Sequence, residues 1–525
     1  MHAFRRSGIA AAVIASSALI AIGCGGSDSD AASAAKDSQA LDMVPATALG
    51  YATVDIDFDG EGWKQFDKLA TAFDADFKGI QDVLADESTG DDDDSDLSWK
   101  EDFEPWAGDS AGGAVTTVSA DGKSAKGFVW VDVKDKAEFE KFAKREDYKA
   151  DGKVGDFDVW VDEDDAFFGV KDDLLILATE RKTLDATATF DGDSITGVDG
   201  LDNVVDEAEG DSLATLVVNG AGVRDALKDN EQYATIAKAV DLKDFTGMSV
   251  TFAAKDKGLS VHGYVQGLSK DGKNSGNELF RSLPENTLLA IGAQDLGGGI
   301  KSAVDSAGKD NAQVQQVVGG LAGVLGVDID DLAEALKGEF ALAVSADDAA
   351  LGALAGGVAG AAMGGGLGGI NPAALTKSGN VTLAFENEDT TVETLDKVAA
   401  AVGGLTGSAP VTGTSGDFET KTFTVSGLPI TAASSDEVAA ISIGQDVFTN
   451  WGDTTLADSD TFKDAWAAAD APDDVAASFW LDWSRVSGLL DVKGSNKMEA
   501  GGWVGWLDAD GDAVSFDVFM HVDEA

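Results

Sequence analysis

The sequence predicts an α+β fold class: two tandem related halves, each an antiparallel or mixed β-sheet with helices packed on one face. Three observations predict it. Some short segments alternate apolar and polar residues, the period of a half-buried strand, and others repeat apolar residues at threes and fours, the period of a helix. At 525 residues the chain exceeds what a single core usually organises, so two or more domains are expected. Five blocks recur once each in the same order, the signature of a tandem duplication.

The first block, Pro45-Ala46-Thr47-Ala48-Leu49, has its counterpart in Pro284-Glu285-Asn286-Thr287-Leu288, offset by 239. Trp106-x-Gly108-Asp109-x-Ala111 matches Leu336-x-Gly338-Glu339-x-Ala341 at an offset of 230. The strand-like Phe128 to Val133, followed by helical Phe139-Glu140-Lys141-Phe142, matches Val381 to Phe385 followed by Leu395-Asp396-Lys397-Val398. Asp172-Asp173-Leu174 corresponds to Asp436-Glu437-Val438, and Leu213-Ala214-x-x-Val217-Val218 to Val475-Ala476-x-x-Phe479-Trp480. Each half closes on an alternating strand, Leu259 to Val265 and Val514 to Met520. The expected repeats are residues 45–265 and 284–525, joined across 266–283, where Gly267, Gly272, Asn274, Ser275 and Gly276 mark a break. The offset jumps across the segment holding Ala349 to Leu375, a charge-free run with nine glycines in 27 residues, which reads as a Gly/Ala-rich loop insertion at 349–375.

The N-terminus carries an address. Arg5 and Arg6 precede an apolar run from Ile9 to Ile22, and Leu19-Ile20-Ala21-Ile22-Gly23-Cys24-Gly25-Gly26 resembles a bacterial lipobox around the only cysteine in the chain. Residues 1–23 are expected to be a lipoprotein signal peptide, with Cys24 the lipidated first residue and 24–44 holding a flexible tether. The apolar run is too short for a transmembrane helix, which needs ~20 residues. Beyond the tether, Tyr51 to Phe58 alternates as a strand with Ala52, Val54, Ile56 and Phe58 on one face and Asp55 and Asp57 on the solvent face. Trp63, Phe66, Ala70, Phe73, Phe77, Ile80 and Leu84 mark a helix, and the acidic stretch Asp86 to Ser98 reads as a loop.

Charge narrows the partners. With 94 acidic against 38 basic residues the formal net charge is −56, which repels phosphate backbones and excludes nucleic acid as a partner. One cysteine allows no internal disulfide, so an exported fold must stand on its cores.

Chemistry is sparse. His262 and His521 fall in the closing strands and read as solvent-facing strand histidines. No Gly-x-Ser-x-Gly, His-Glu-x-x-His or phosphate-loop motif occurs, and Gly220-Ala221-Gly222 has Asp225 where a dinucleotide fingerprint needs Gly or Ala. Asp55-x-Asp57-x-Asp59-Gly60 copies the opening of a calcium loop, yet the twelfth position is Phe66 instead of a bidentate Glu. Asp55, Asp57 and Asp59 are therefore weak metal candidates, and neither a metal nor a cofactor is expected. Asp508-x-Asp510-Gly511-Asp512 reads as a hairpin turn. Trp480, Trp483, Trp503 and Trp506 cluster near the C-terminus as either a binding platform or core, with core the default for Trp480 and Trp506.

The leader, the opening Val44-Pro45-Ala46-Thr47-Ala48-Leu49-Gly50-Tyr51-Ala52-Thr53-Val54-Asp55, and Val327-Asp328-Ile329-Asp330-Asp331-Leu332 running into Leu336-Lys337-Gly338-Glu339-Phe340-Ala341 resemble a family of actinobacterial surface lipoproteins recorded only as a domain of unknown function. The resemblance implies an exported, membrane-anchored protein and transfers no catalytic residue. The expectation is a non-enzymatic binding or scaffold lipoprotein, held to the extracytoplasmic face of the cell membrane by its N-terminal lipid, with an unidentified envelope protein, glycan or lipid as ligand. Its alternatives are a carrier of a hydrophobic ligand held between sheet and helices and, third, an envelope hydrolase.

Overall fold

The computed structural model describes residues 38–73, 77, 79–81, 98–119, 124–163, 165–208, 212–228, 242–267, 274–299, 301, 329–346, 379–387, 389–406, 409–425, 427–487 and 500–522. Cys24, residues 86–97 of the acidic stretch and the Gly/Ala-rich run 349–375 lie outside them. The chain divides into two compact units, Met1–Gly272 with Gly511–Asp517, and Lys273–Asp510 with Val518–Ala525. These bounds replace 45–265 and 284–525: the break falls inside the glycine-rich junction, and the first half of the last strand belongs to the first unit.

The first unit contains β1 (Gly50–Asp55), α1 (Glu61–Phe73), β2 (Ala107–Val118), β3 (Ala125–Val133), α2 (Lys136–Arg145), β4 (Lys149–Val154), β5 (Phe157–Val161), β6 (Phe167–Lys171), β7 (Leu174–Ala178), α3 (Arg181–Ala188), α4 (Leu201–Asp206), β8 (Ala214–Asn219), α5 (Gly220–Lys228), β9 (Gly247–Lys255) and β10 (Gly258–Gln266). Its sheet runs β4-β5-β6-β7-β3-β2-β1-β8-β9-β10, and every pairing is antiparallel.

Both faces of this sheet are covered, which corrects the expectation of helices on one face only. Tyr51, Ala114, Phe128, Trp130 and Val217 pack with Leu184 of α3, Leu201 and Val204 of α4, and Ala40, Leu41 and Val44. On the other face Val54, Ala111, Val131 and Val133 pack with Trp63 and Phe66 of α1 and with Phe139 and Phe142 of α2. Residues one apart on a strand, such as Trp130 and Val131, therefore serve two cores. The last residues of the stretch expected to be a tether are packed into the first of these cores. Ala40, Leu41 and Val44 are buried, and Gln39–Met43 forms a 3₁₀ turn capped by Ser38. The α1 helix is described over Glu61–Phe73, and Phe77 and Ile80 also rest against its core.

The second unit contains α6 (Glu278–Arg281), β11 (Thr287–Gln294), α7 (Ile329–Ala335), β12 (Glu339–Ala346), β13 (Gly379–Glu386), α8 (Asp389–Thr406), β14 (Val411–Ser415), β15 (Phe418–Val425), β16 (Leu428–Ser434), β17 (Val438–Gly444), α9 (Asp460–Ala468), β18 (Ala477–Leu481), α10 (Trp483–Ser487) and β19 (Ala500–Asp510). The last strand is β20 (Ala513–Val522), of which only Val518 onward belongs here. The sheet runs β14-β15-β16-β17-β13-β12-β11-β18-β19, again antiparallel throughout. One face joins Ala290, Ala341, Ala343, Ala384 and Trp480 to Phe280 of α6 and Phe462 and Trp466 of α9. The opposite face gathers Leu289, Val344, Val381 and Leu481 with Val486 of α10. The Asp510-Gly511-Asp512 turn follows β19, with Gly511 at φ +64°, the left-handed backbone that glycine adopts without strain.

Candidate functional site

The calcium-like motif is a strand-to-helix connection. Asp55 is the last residue of β1 and is buried, not solvent-facing as expected, because β1 lies in the sheet interior between β2 and β8. Its Oδ1 accepts the Asp57 backbone N–H at 2.9 Å, and its carbonyl accepts the Trp63 indole N–H at 3.1 Å. The Gly60 N–H donates to the Asp57 carbonyl at 2.8 Å, and a side chain at Gly60 would meet that oxygen at 2.9 Å. Glycine is thus required for the tight turn into α1. Asp57 and Asp59 are exposed, and among the described residues no three His, Cys, Asp or Glu side chains converge as a metal cluster. The arrangement orients β1 against α1 and gathers no six-oxygen shell.

The histidines are not solvent-facing. His521 is buried, and His262 is half-buried with its Nδ1 2.8 Å from Asp517 Oδ1, within the first unit. The two belong to different units.

The tryptophans separate into core and surface. Trp480 is fully buried and donates its indole N–H to the Thr287 carbonyl at 3.2 Å. Trp506 is half-buried and lies against Trp466 with ring centroids 6.2 Å apart. Trp483 and Trp503 stack at 4.7 Å and 19°, both half-buried, and neither indole N–H has an acceptor.

Two acidic positions that the sequence did not single out carry perturbed carboxyls. Asp132 on β3 is pushed up to about 6 by burial; the Ser110 hydroxyl holds it down in part, while Asp173 and Asp109 add to the rise. Gly108 lets the backbone approach it, since a side chain there would lie 2.9 Å from the Asp132 Cβ. Such a carboxyl is about half protonated near pH 6, where an ordinary aspartate is ionised. In the second unit burial likewise raises Glu339, whose two oxygens each accept a backbone N–H, from Leu279 and Phe280, at 3.0 Å. That geometry fixes the first turn of α6 on β12. A hydrophilic residue inside an apolar alternation was the only sequence signal for Asp132, and 94 acidic residues hide it.

Fold and site together define a two-unit antiparallel α+β protein in which, among the described residues, no group of three His, Cys, Asp or Glu could hold a metal ion. The chain belongs to the family described as "Protein of unknown function (DUF3352)", matched over residues 8–498. No curated protein matches the sequence. Among solved structures it is similar to those titled "Structure of crystal form I of TP0453", at 10% identity over 44% of this chain and 80% of that one, and "Structure of crystal form IV of TP0453", at 12% over 46% and 84%. The TM-score is 0.24 in both cases. Among the described residues no helix is long and apolar enough to cross a membrane.

Proposed function

We propose that this protein is a non-enzymatic lipoprotein of the extracytoplasmic membrane face, built from two copies of one fold, that binds or scaffolds an envelope partner. The observation that carries the address is the Leu19 to Gly26 stretch behind a charged and apolar leader, with Cys24 as the only thiol. The duplication is supported by strand order. Reading β1, β2, β3, β7, β6, β5, β4 outward in the first unit gives the same walk as β11, β12, β13, β17, β16, β15, β14 in the second. On the other side β8 and β9 correspond to β18 and β19. The isolated bridges Pro45–Ser194 and Pro284–Thr455 precede the first strand of each walk.

The address has a direct check. Cys24→Ser should leave the protein in the soluble fraction of cells that retain the native form in the membrane pellet after a salt wash. A Cys24→Ser protein that still sediments with membranes overturns the lipid anchor.

A second reading, a carrier of a hydrophobic ligand, is favoured by one feature of the second unit. Ile291 and Leu507 are 40% and 39% exposed on an apolar sheet, and the nearby stacked Trp483 and Trp503 offer two N–H donors without acceptors. If a fatty acyl chain sits there, a brominated fatty acid should quench tryptophan emission in the native protein and leave a Trp483→Phe/Trp503→Phe variant largely unquenched. Equal quenching in both removes this reading.

A further inference from the structure

The two units end their sheets differently. In the first, the terminal strand β4 pairs only with β5 among the described residues, and it is built to refuse a further strand. Lys149, Asp151 and Lys153 put charges along it, its register slips between Ala150 and Lys153, and Gly152 sits at φ +81°. Charge and a bulge are the usual protections of an exposed edge. The corresponding strand of the second unit, β14, has neither. Val411-Thr412-Gly413-Thr414-Ser415 carries no charge and pairs with β15 through five consecutive positions, Val411 with Thr422 to Ser415 with Phe418, without a shift. Val411 is 73% exposed, and only Thr420 Oγ1, at 3.6 Å, would stand within 4 Å of a side chain placed on Gly413.

We propose that β14 is an acceptor edge for strand addition, and that its occupant is an extended, cationic segment of another protein. The proposal rests on the binding reading above and names the kind of partner. The backbone of an unprotected edge supplies a row of donors and acceptors for an added strand, and the flanking side chains then select the sequence that adds. Here those side chains are acidic. Residues 386–460 carry thirteen Asp and Glu against two lysines, Lys397 and Lys421. Both lysines are engaged, Lys397 with Glu393 at 2.9 Å and Lys421 with Asp396 at 2.6 Å, whereas Asp417 and Glu419 beside the edge are exposed. Lys or Arg at alternate positions of an incoming strand would face that field, while its backbone completes the ladder. A second copy of this chain is the poorer occupant, because it would bring another net charge of −56 to the same edge.

The test uses the full-length protein and a fluorescent octapeptide that alternates lysine and valine. Binding should be saturable, and amide exchange should slow at residues 411–415. The same peptide N-methylated at alternate residues keeps its charge but cannot complete a ladder, so it should bind roughly ten-fold more weakly and give no protection there. Equal affinity for the N-methylated peptide, protection elsewhere, or no binding overturns the proposal. So does a concentration-dependent dimer that protects 411–415 without peptide, which would make the edge a self-association surface. Membrane fractionation reads the lipid anchor separately, so failure of one does not imply failure of the other.

Discussion

Replacing Trp480 with Ala should destabilise the second unit by roughly 3–5 kcal/mol, the range for emptying a large buried aromatic site. The indole fills a slot that the sequence prepares with glycine: a side chain on Gly502 would lie 1.9 Å from its ring atoms. It packs edge-on to Phe462 at 5.3 Å and satisfies the Thr287 carbonyl, so truncation leaves a cavity and removes that carbonyl's indole donor. Trp130 gives the control. It is equally buried, and Gly112 makes room for its ring in the same way, but its indole N–H has no acceptor. Trp480→Phe should therefore cost about 1 kcal/mol more than Trp130→Phe, the value of one hydrogen bond. Denaturant unfolding of these variants measures this; equal costs for the two Trp→Phe changes would mean that the Thr287 contact contributes nothing.

The largest pH effect should come from Asp132. Its folded value of about 6 lies above the ordinary 3.8, so between those limits the folded chain holds a proton that the unfolded chain has released. The contribution is most favourable below pH 4, declines as pH rises to about 6, and is flat above that. Asp132→Asn removes the charge, and at pH 7 it should stabilise the first unit by up to about 3 kcal/mol, two pH units at roughly 1.4 kcal/mol each. At pH 4 the gain should nearly vanish. Paired denaturation curves across this range decide it, and a stability difference independent of pH would show that Asp132 titrates in the fold as it does in the unfolded chain.

The strand and helix periods were legible in sequence because each depends on neighbours a few residues apart. Tyr51 to Asp55 gave β1, Phe139 and Phe142 gave α2, and Asp510-Gly511 gave the last turn by local chemistry alone. The same reasoning failed where a position's meaning depended on what lay across the sheet. Asp55 and His521 looked solvent-facing from their alternation, and each is buried.

What the sequence determined by itself is therefore the kind of those elements whose period it showed, β1, β3 and α2 among them, and the order in which they come. Tertiary structure alone decided that β1 lies between β2 and β8, that helices cover both faces of the first sheet, and that β4 and β14 terminate their ladders among the described residues. Strand neighbours such as β3 and β7 are joined by hydrogen bonds between residues more than forty positions apart, from Val129 with Leu177 to Asp132 with Leu174. A period of two reveals that a strand exists but not which strand will lie beside it. Burial, and with it the raised carboxyl of Asp132 and the exposed edge at Val411, is set by that choice of neighbour.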